Sequence, residues 1–248
     1  MGPRRWFPDA ITGERVVLRR HVEGNIRAFQ RWYADPDVVR LTRYQDGPMR
    51  RDEIERFFAA RALGVDSLAM AIHLRDGDRL IGTCALSQLD RDNGSALFHI
   101  TIGEKDMWGA GYGTEATRLM IGHAFEGLGL HRVALTVFAF NERAVRSYRS
   151  VGFVVEGRAR EAIWREGRWW DEISMSILDS DWTAMHPRPV SLRPAADATV
   201  DGANGAGDAA APERRGTRRT GAVAGFLGRR RGARRARRPK PHGATSAS

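Results

Sequence analysis

The sequence predicts a mixed α+β domain followed by a disordered basic tail. Residues 67–86 have the pattern of an antiparallel strand pair, and residues 97–153 alternate strand, helix, strand and helix, which makes two strands parallel. After residue 186 large apolar side chains become rare. We therefore expect one folded domain with a central mixed sheet flanked by helices over residues 14–182, after an N-terminal segment at 1–13. A tail follows at 187–248.

The first third of the folded part predicts one strand and two helices. Residues 14–20 are strand-like, whereas apolar side chains recur at helical spacing over 23–32 and again over 52–62. The segment before them has no apolar core of the length that a signal peptide needs, so we expect a cytoplasmic protein.

A hairpin follows these helices. Residues 67–74 and 79–86 predict two antiparallel strands joined by a turn at Asp76-Gly77-Asp78. Cys84, the single cysteine, lies within the second strand, where an inert core thiol is favoured over a nucleophile. The seven histidines show no metal-ligand spacing, so no metal is expected.

A turn with glycines at positions 109, 111 and 113 lies at the centre of the chain, and residues 107–114 are called the glycine turn below. Residues 97–102 predict a buried strand with Phe98, Ile100 and Ile102 on one face, and apolar residues from Ala116 onwards predict a helix that ends near Gly127. The start of a helix leaves N–H groups unpaired and carries partial positive charge, so the turn between the two elements suits a diphosphate. The glycines alone are equally compatible with a turn that binds nothing.

Two other phosphate-binding motifs are excluded. A Walker loop needs Lys followed by Ser or Thr after its last glycine, where this chain has Thr114-Glu115. A dinucleotide fingerprint needs its third glycine one residue later than Gly113.

A second strand and helix follow. Residues 131–138 predict the strand, and Asn141 suits the N-cap of a helix that ends at Gly152. Ala144 and Tyr148 are four residues apart and lie on one helix face.

The chain carries the motif Trp-Gly-x-Gly-Tyr-Gly-Thr-Glu-Ala at residues 108–116, Asn-x-x-Ala-x-x-x-Tyr at 141–148 and Gly-Phe at 152–153. With the order of strands and helices, these motifs resemble the GNAT superfamily of N-acetyltransferases, and more narrowly its ribosomal-protein and polyamine N-acetyltransferase branch. The resemblance runs from residue 14 to residue 178. It implies that central strands splay apart to admit pantetheine, that main-chain amides bind the diphosphate of acetyl-CoA, and that Tyr148 protonates the departing thiolate. The implied cofactor-binding residues are Thr101, Ile102, Trp108, Gly109, Ala110, Gly111, Tyr112, Gly113, Thr114 and Asn141.

The chemistry explains the need for an acid and a base. Attack of an amine on a thioester requires a neutral amine and releases a thiolate, which a nearby phenol can protonate. The alternative for Tyr148 is a partly buried aromatic whose hydroxyl contacts a carbonyl.

The base is less well defined by the sequence. Many relatives carry Glu where this chain has Leu97, and His99 replaces their usual glycine. His99 could relay a proton, as could Glu115 or a carboxylate of the N-terminal helices. The alternative for His99 is a half-buried histidine bonded to a neighbouring strand or loop.

The last predicted strands occupy residues 154–177, with a turn at Glu166-Gly167. Trp169 and Trp170 follow this turn. They could line an acceptor channel, but we expect them in the core because large aromatics in a late strand are usually buried.

The positive charge lies entirely in the tail. Residues 1–186 contain 26 Lys+Arg and 26 Asp+Glu, whereas residues 187–248 contain 14 and 4. Such a tail can hold RNA, ribosomes or an anionic membrane through salt-sensitive contacts, or it can be a solubilising extension.

Two functions follow from the sequence. The first is an N-acetyltransferase that moves an acetyl group from acetyl-CoA to a primary amine, such as a protein N-terminus, a polyamine or another small amine, within a ternary complex. The second is a catalytically weak CoA-binding module whose tail recruits RNA, a ribosome or another anionic partner; the missing carboxylate at Leu97 supports it. The sequence does not determine the acceptor, the base or the oligomeric state, and it is compatible with a dimer.

Overall fold

The computed structural model describes residues 8–44, 47–62 and 67–187. The strands in these ranges are β1 Ala10–Thr12, β2 Val16–Arg20, β3 Leu68–Leu74, β4 Leu80–Asp90, β5 Ser95–Ile102, β6 Arg132–Phe138, β7 Val154–Arg165 and β8 Arg168–Leu178. The α-helices are α1 Ile26–Ala34, α2 Pro36–Thr42, α3 Arg51–Ala62, α4 Tyr112–Gly122, α5 Glu142–Val151 and α6 Asp179–Met185. The predicted tail lies outside the described residues, apart from residue 187.

The strands form a mixed sheet in the order β1-β2-β3-β4-β5-β6-β8-β7. β5 and β6 pair in parallel, and every other neighbouring pair is antiparallel, which confirms the predicted fold class. The β5–β6 ladder contains three pairs and ends at Leu97 and Ala134. Beyond that point the two strands separate, so the sheet is splayed as expected.

Each of the two separating strands is held on its other side. β5 stays paired with β4 up to Ile102, and β6 stays paired with β8 up to Phe138. The end of β5 also lies against α1: a Cβ atom on Gly103 would come within 2.1 Å of the Trp32 ring. Because each strand is bound to a different neighbour, a wedge opens between them.

Helices cover the two faces of the sheet. Phe29, Trp32 and Phe58 belong to a cluster formed by α1, α2 and α3, whereas Met120 and Trp182 belong to the larger core under α4, α5 and α6. Side chains alternate between these two faces along each strand. The wedge is therefore open to both layers of helices.

The sequence patterns missed two elements: the short β1, which lies in the predicted N-terminal segment, and α6, which extends the domain beyond residue 182. The helix predicted to end near Gly127 does end there, with residues 123–127 as a π-helical turn after α4, and α2 occupies a segment whose sequence indicates a helical turn at residues 38–44. α6 buries only Trp182, so it shows no apolar periodicity that could predict it.

The prediction for Trp169 was wrong. The Trp169 side chain is 54% exposed and packs edge-on against the equally exposed Trp164, with 5.1 Å between ring centroids. Both residues lie near the turn of the β7–β8 hairpin, which forms one edge of the sheet. Trp170 is half-buried, and the Arg168 guanidinium lies 3.5 Å from its ring centre.

Cys84 is buried as predicted, and burial raises the pKa of its thiol. Within the described ranges no group of three or more His, Cys, Asp or Glu side chains is placed to hold a metal ion. None of the helices in this part of the chain has the length and apolar character needed to cross a bilayer.

Candidate active site

A cavity of about 690 Å³ occupies the wedge between β5 and β6. It extends from α2 and α3 on one face of the sheet to the glycine turn and α5 on the other. Most of the residues predicted for the site line it: His99, Thr101, Ile102, Trp108, Gly109, Gly111, Gly113, Thr114, Asn141 and Tyr148. Ala110 and Tyr112 are not among the lining residues.

The glycine turn has the conformation that a close approach of a ligand to the backbone requires. Gly109 and Gly111 have φ angles of 80° and 87°, which side-chain-bearing residues rarely adopt. α4 begins directly after Gly111, and no described side chain caps its start. The first amides of α4 are therefore available to an anion in the cavity.

Arg15 supports this turn from outside the cavity. Its guanidinium donates to the Ala110 carbonyl oxygen at 2.9 Å and to Glu115 at 3.0 Å. Glu115 also accepts from the backbone N–H groups of Arg15 and Val16, at 2.8 and 3.2 Å. These contacts join the turn to the start of β2.

The same contacts bear on the role of Glu115. Burial acts to raise the pKa of this carboxyl, but the hydrogen bonds from the Arg15 and Val16 backbone and from the Arg15 side chain, together with the Arg15 charge, outweigh it, and the pKa lies below its usual value. Glu115 does not line the cavity and its oxygens are occupied. The geometry therefore disfavours it as the base.

α5 lies beside the glycine turn, and together they line the end of the cavity that the predicted cofactor would occupy, the cofactor end. The Asn141 side chain accepts from the Ala144 N–H at 3.3 Å, and Gly152 ends the helix at a φ of 109°, so both predicted helix boundaries are confirmed. Thr114 and Ser147 hydroxyls lie 2.7 Å apart and connect α4 to α5.

Tyr148 lies on α5 with its side chain against the cavity. The residue is 8% exposed, and its ring packs on Phe153 with 5.8 Å between centroids. Burial raises the pKa of the phenol, so the hydroxyl keeps its proton at neutral pH. No carbonyl in the described chain accepts a hydrogen bond from this hydroxyl, which leaves its proton available to a ligand.

His99 is bonded to a neighbouring strand, which was the alternative to its role as a proton relay. Its Nε2 lies 2.8 Å from the Ser87 hydroxyl on the neighbouring strand β4. Burial and then the positive charge of Arg61 lower the pKa of His99 to about 4. His99 lines the cavity as a neutral side chain at neutral pH and is a weak proton acceptor.

Glu172 is a site residue that the sequence patterns do not predict. Glu172 is the one carboxylate among the described residues that line the cavity, and it accepts a hydrogen bond from the Tyr44 hydroxyl. Burial and then this contact raise the pKa of Tyr44 to about 12. The Thr136 hydroxyl lies 3.3 Å from the same phenol. A strand pattern shows which residues share a face but not which face meets a cleft, so no sequence signal distinguished Glu172.

The support given by Arg15 predicts an effect on cofactor affinity. Arg15→Gln should weaken CoA binding by roughly tenfold, because losing charged hydrogen bonds worth about 1.5 kcal/mol lets the turn relax. Isothermal titration calorimetry measures the Kd. Arg19→Gln, on β2 but paired with Asp78, is the matched control and should leave the Kd unchanged. Equal affinity of wild type and Arg15→Gln would contradict the supporting role.

The lowered pKa of His99 predicts an acid-dependent loss of stability. An unfolded histidine titrates near 6.5, so folding releases a proton, and the stability present above pH 6.5 is lost as the pH falls towards 4. The free energy of unfolding is measured by urea titration at pH 7 and at pH 4.5. Its decrease between the two pH values should be smaller in His99→Gln than in wild type, by roughly 2 kcal/mol. His21, whose pKa is also lowered to about 4, provides a second histidine of the same kind. An unaltered pH dependence in His99→Gln would show that His99 titrates normally.

Comparisons with known proteins agree with this geometry. A sequence profile described as an acetyltransferase (GNAT) domain matches residues 15–154, which is more than half of the chain. The uncharacterised N-acetyltransferase p20 of Bacillus licheniformis is 27% identical over 179 residues, covering 70% of this chain and 98% of p20. The spermidine N(1)-acetyltransferase of Escherichia coli K12 is 28% identical over 180 residues, covering 71% and 88%.

A shorter match and a solved structure extend the comparison. The putative ribosomal N-acetyltransferase YdaF of Bacillus subtilis is 36% identical over 109 residues, covering 44% of this chain and 58% of YdaF. The crystal structure of Vibrio cholerae spermidine N-acetyltransferase in complex with CoA and spermine shares the fold at a TM-score of 0.62 and 24% identity, covering 68% of this chain and 99% of that one. With its splayed sheet, glycine turn and wedge cavity, this chain belongs to the GNAT family of acyl-CoA-dependent acetyltransferases.

Proposed function

We propose that the protein transfers the acetyl group of acetyl-CoA directly to a primary amine while both are bound, with Tyr148 as the acid. The observation that carries the proposal is that one cavity is lined by the glycine turn, by Tyr148 and by residues on the face of the sheet that carries α1, α2 and α3, where the acceptor would bind. A donor and an acceptor can meet in such a cavity without a covalent enzyme intermediate.

The described residues fit acetyl-CoA. The amides at Gly111, Gly113 and Thr114 would bind the diphosphate, and the edge of β5 that faces β6 has no ladder partner beyond Leu97, so its backbone can bond the amide groups of the pantetheine arm. Thr101, Ile102, Trp108, Gly109 and Asn141 would complete this end of the site. Ala110 and Tyr112 would contribute only main-chain groups.

The reaction forms a C–N bond and breaks the thioester C–S bond. The amine loses a proton and the sulfur gains one, so the site needs groups on two sides of the reacting carbon. The neutral, buried phenol of Tyr148 suits the sulfur side.

Glu172 suits the amine side. Its carboxylate lies on the face of the sheet that carries α1, α2 and α3, and it can hold the ammonium group and then accept its proton. Tyr44 would orient it through their hydrogen bond. We give Glu172 this role in place of His99, because His99 is already bonded to Ser87 and burial lowers its pKa, which makes it a poor proton acceptor.

A primary amine acceptor is supported by the relatives, whose names include spermidine and ribosomal N-acetyltransferases. The alternative of a catalytically weak module is supported by Leu97 alone, and membership of an acetyltransferase family argues against it. Its proposed recruitment of RNA or a ribosome depends on residues beyond those described.

An acceptor screen tests the proposal. The full chain is incubated with acetyl-CoA and a panel of alkylamines, amino acids, peptides and polyamines, and free thiol release is followed. We expect release that depends on the acceptor. CoA binding with no release for any amine would instead favour the binding module.

Replacing Tyr148 tests the acid. Tyr148→Phe should lower kcat by roughly ten- to a thousand-fold, because the ring packing is kept and only the proton donor is lost. The Kd for acetyl-CoA should stay within about twofold, since the hydroxyl acts on the leaving sulfur. A kcat equal to that of wild type would remove Tyr148 from the mechanism.

Replacing Glu172 tests the amine side. Glu172→Gln keeps an oxygen for the Tyr44 hydroxyl but loses the charge and the base, so kcat/KM for the amine should fall by roughly ten- to a hundred-fold with acetyl-CoA affinity retained. Glu55→Gln, an exposed change on α3, is the control. If both variants keep wild-type kcat/KM, Glu172 does not contact the acceptor.

A further inference from the structure

The side of the cavity that is lined by α1, α2 and α3 is the acceptor end under the proposed function. Arg61 brings a positive charge into this end. It lies in the last turn of α3 and lines the main cavity as well as a smaller one that adjoins it beside His99 and Tyr33. Its guanidinium carbon lies 5.5 Å from the centre of the Phe57 ring. The charge therefore sits on an aromatic wall of the site and not on the outer face of the helix.

Arg61 differs from the other arginines of α3. Arg51 pairs with Glu55 at 3.0 Å and Arg56 with Asp52 at 2.9 Å, both on the exposed side of the helix. Among the described residues no carboxylate lies within ion-pair distance of the Arg61 guanidinium. Burial lowers the pKa of Arg61, which reflects a charge that has lost part of its hydration. A partly desolvated cation gains most from an anion that a ligand supplies.

The groups around Arg61 do not supply that anion. The pKa of Tyr33 is raised by burial, so its phenol is neutral, and His99 is neutral as well. Arg43 also lines this end of the cavity. Glu172 is the only described carboxylate in the cavity, and it is assigned to the amine. A substrate with several positive charges would meet the positive charge of Arg61, with a single carboxylate to balance its own charge.

The remaining arginines of the cavity lie at the cofactor end. Arg143 and Arg146 are on α5, and the Arg143 guanidinium carbon lies 4.5 Å from the centre of the Trp108 ring, next to the glycine turn. The phosphates of acetyl-CoA would face these two. Arg61 is on the opposite layer of helices, so the cofactor phosphates do not account for it.

We propose, building on the proposed amine acetylation, that the acceptor is a primary amine that also carries a carboxylate, with the carboxylate on Arg61 and the amino group at Glu172. A guanidinium presents two parallel N–H donors that match the geometry of a carboxylate. The two ends of the acceptor would be distinguished by charge, which orients the amine towards the thioester. This assignment differs from a spermidine acceptor, which has no anionic group.

Matched acceptors separate the contribution of the carboxylate from that of the amine. The full chain and acetyl-CoA are assayed with ω-amino carboxylates of increasing chain length and with n-alkylamines of the same lengths, whose amines have similar basicity. We expect kcat/KM to be roughly ten- to a hundred-fold higher for the best amino carboxylate than for its alkylamine. Spermidine is assayed beside them and should be a poorer acceptor than the best amino carboxylate.

Variants of Arg61 then assign the preference to this residue. Arg61→Gln should raise KM for amino carboxylates and remove their advantage, with little change for alkylamines, whereas Arg61→Lys should restore part of it. Arg51→Gln, on the same helix with its side chain 83% exposed, should behave as wild type. Thermal unfolding shows whether each variant is folded, and the alkylamine rate of the same sample serves as an internal reference.

Three results would overturn the inference. They are equal kcat/KM for amino carboxylates and alkylamines, a preference for spermidine, or an Arg61→Gln variant that loses both acceptors equally while staying folded. A chain that acetylates no amine at all would defeat the proposed function itself, and the two failures are therefore distinguishable.

Discussion

The early end of the β5–β6 ladder is the constraint on which the site depends. Three pairs hold the strands together up to Leu97 and Ala134, and beyond them each strand is bound to a different neighbour. A continued ladder would satisfy the backbone of β5 and close the cavity. The separation leaves backbone groups free for a ligand and lets one cavity reach both faces of the sheet. Donor and acceptor can therefore enter from opposite layers of helices.

A second set of contacts holds the glycine turn at the mouth of this wedge. The turn gains its anion-binding capacity from positive φ angles and an uncapped helix start, features that by themselves leave the backbone easily deformed. Arg15 and Glu115 link the turn to β2, a strand that lies three places from β5 in the sheet. Packing of the first strands therefore contributes to the shape of the cofactor end, although neither Arg15 nor Glu115 lines the cavity.

The charges in the cavity separate it into two ends. Tyr148 and the glycine turn belong to the side of α4 and α5, where the proposed acid would face the thioester sulfur. Glu172, Arg61 and Arg43 line the cavity on the side of α1, α2 and α3, where Glu172 and Arg61 would bind the proposed acceptor. Burial favours the uncharged form of both groups, so at neutral pH Tyr148 keeps its proton and His99 stays neutral. The proposed role of Tyr148 as the acid follows from the proton that it keeps.

The sequence by itself determined the local features: the strand–turn–helix around Gly111, the N-cap at Asn141, the helix end at Gly152 and the buried Cys84. Each depends on residues a few positions apart, whose spacing is visible in the chain. Only the tertiary structure decided that Glu172 and Arg61 share a cavity, that Glu115 faces away from it, that His99 bonds to Ser87 and that Trp169 is exposed. Those outcomes depend on which face of each element meets which neighbour, and contacts between residues such as Arg61 and His99, far apart in the chain, leave no periodic signal in the sequence.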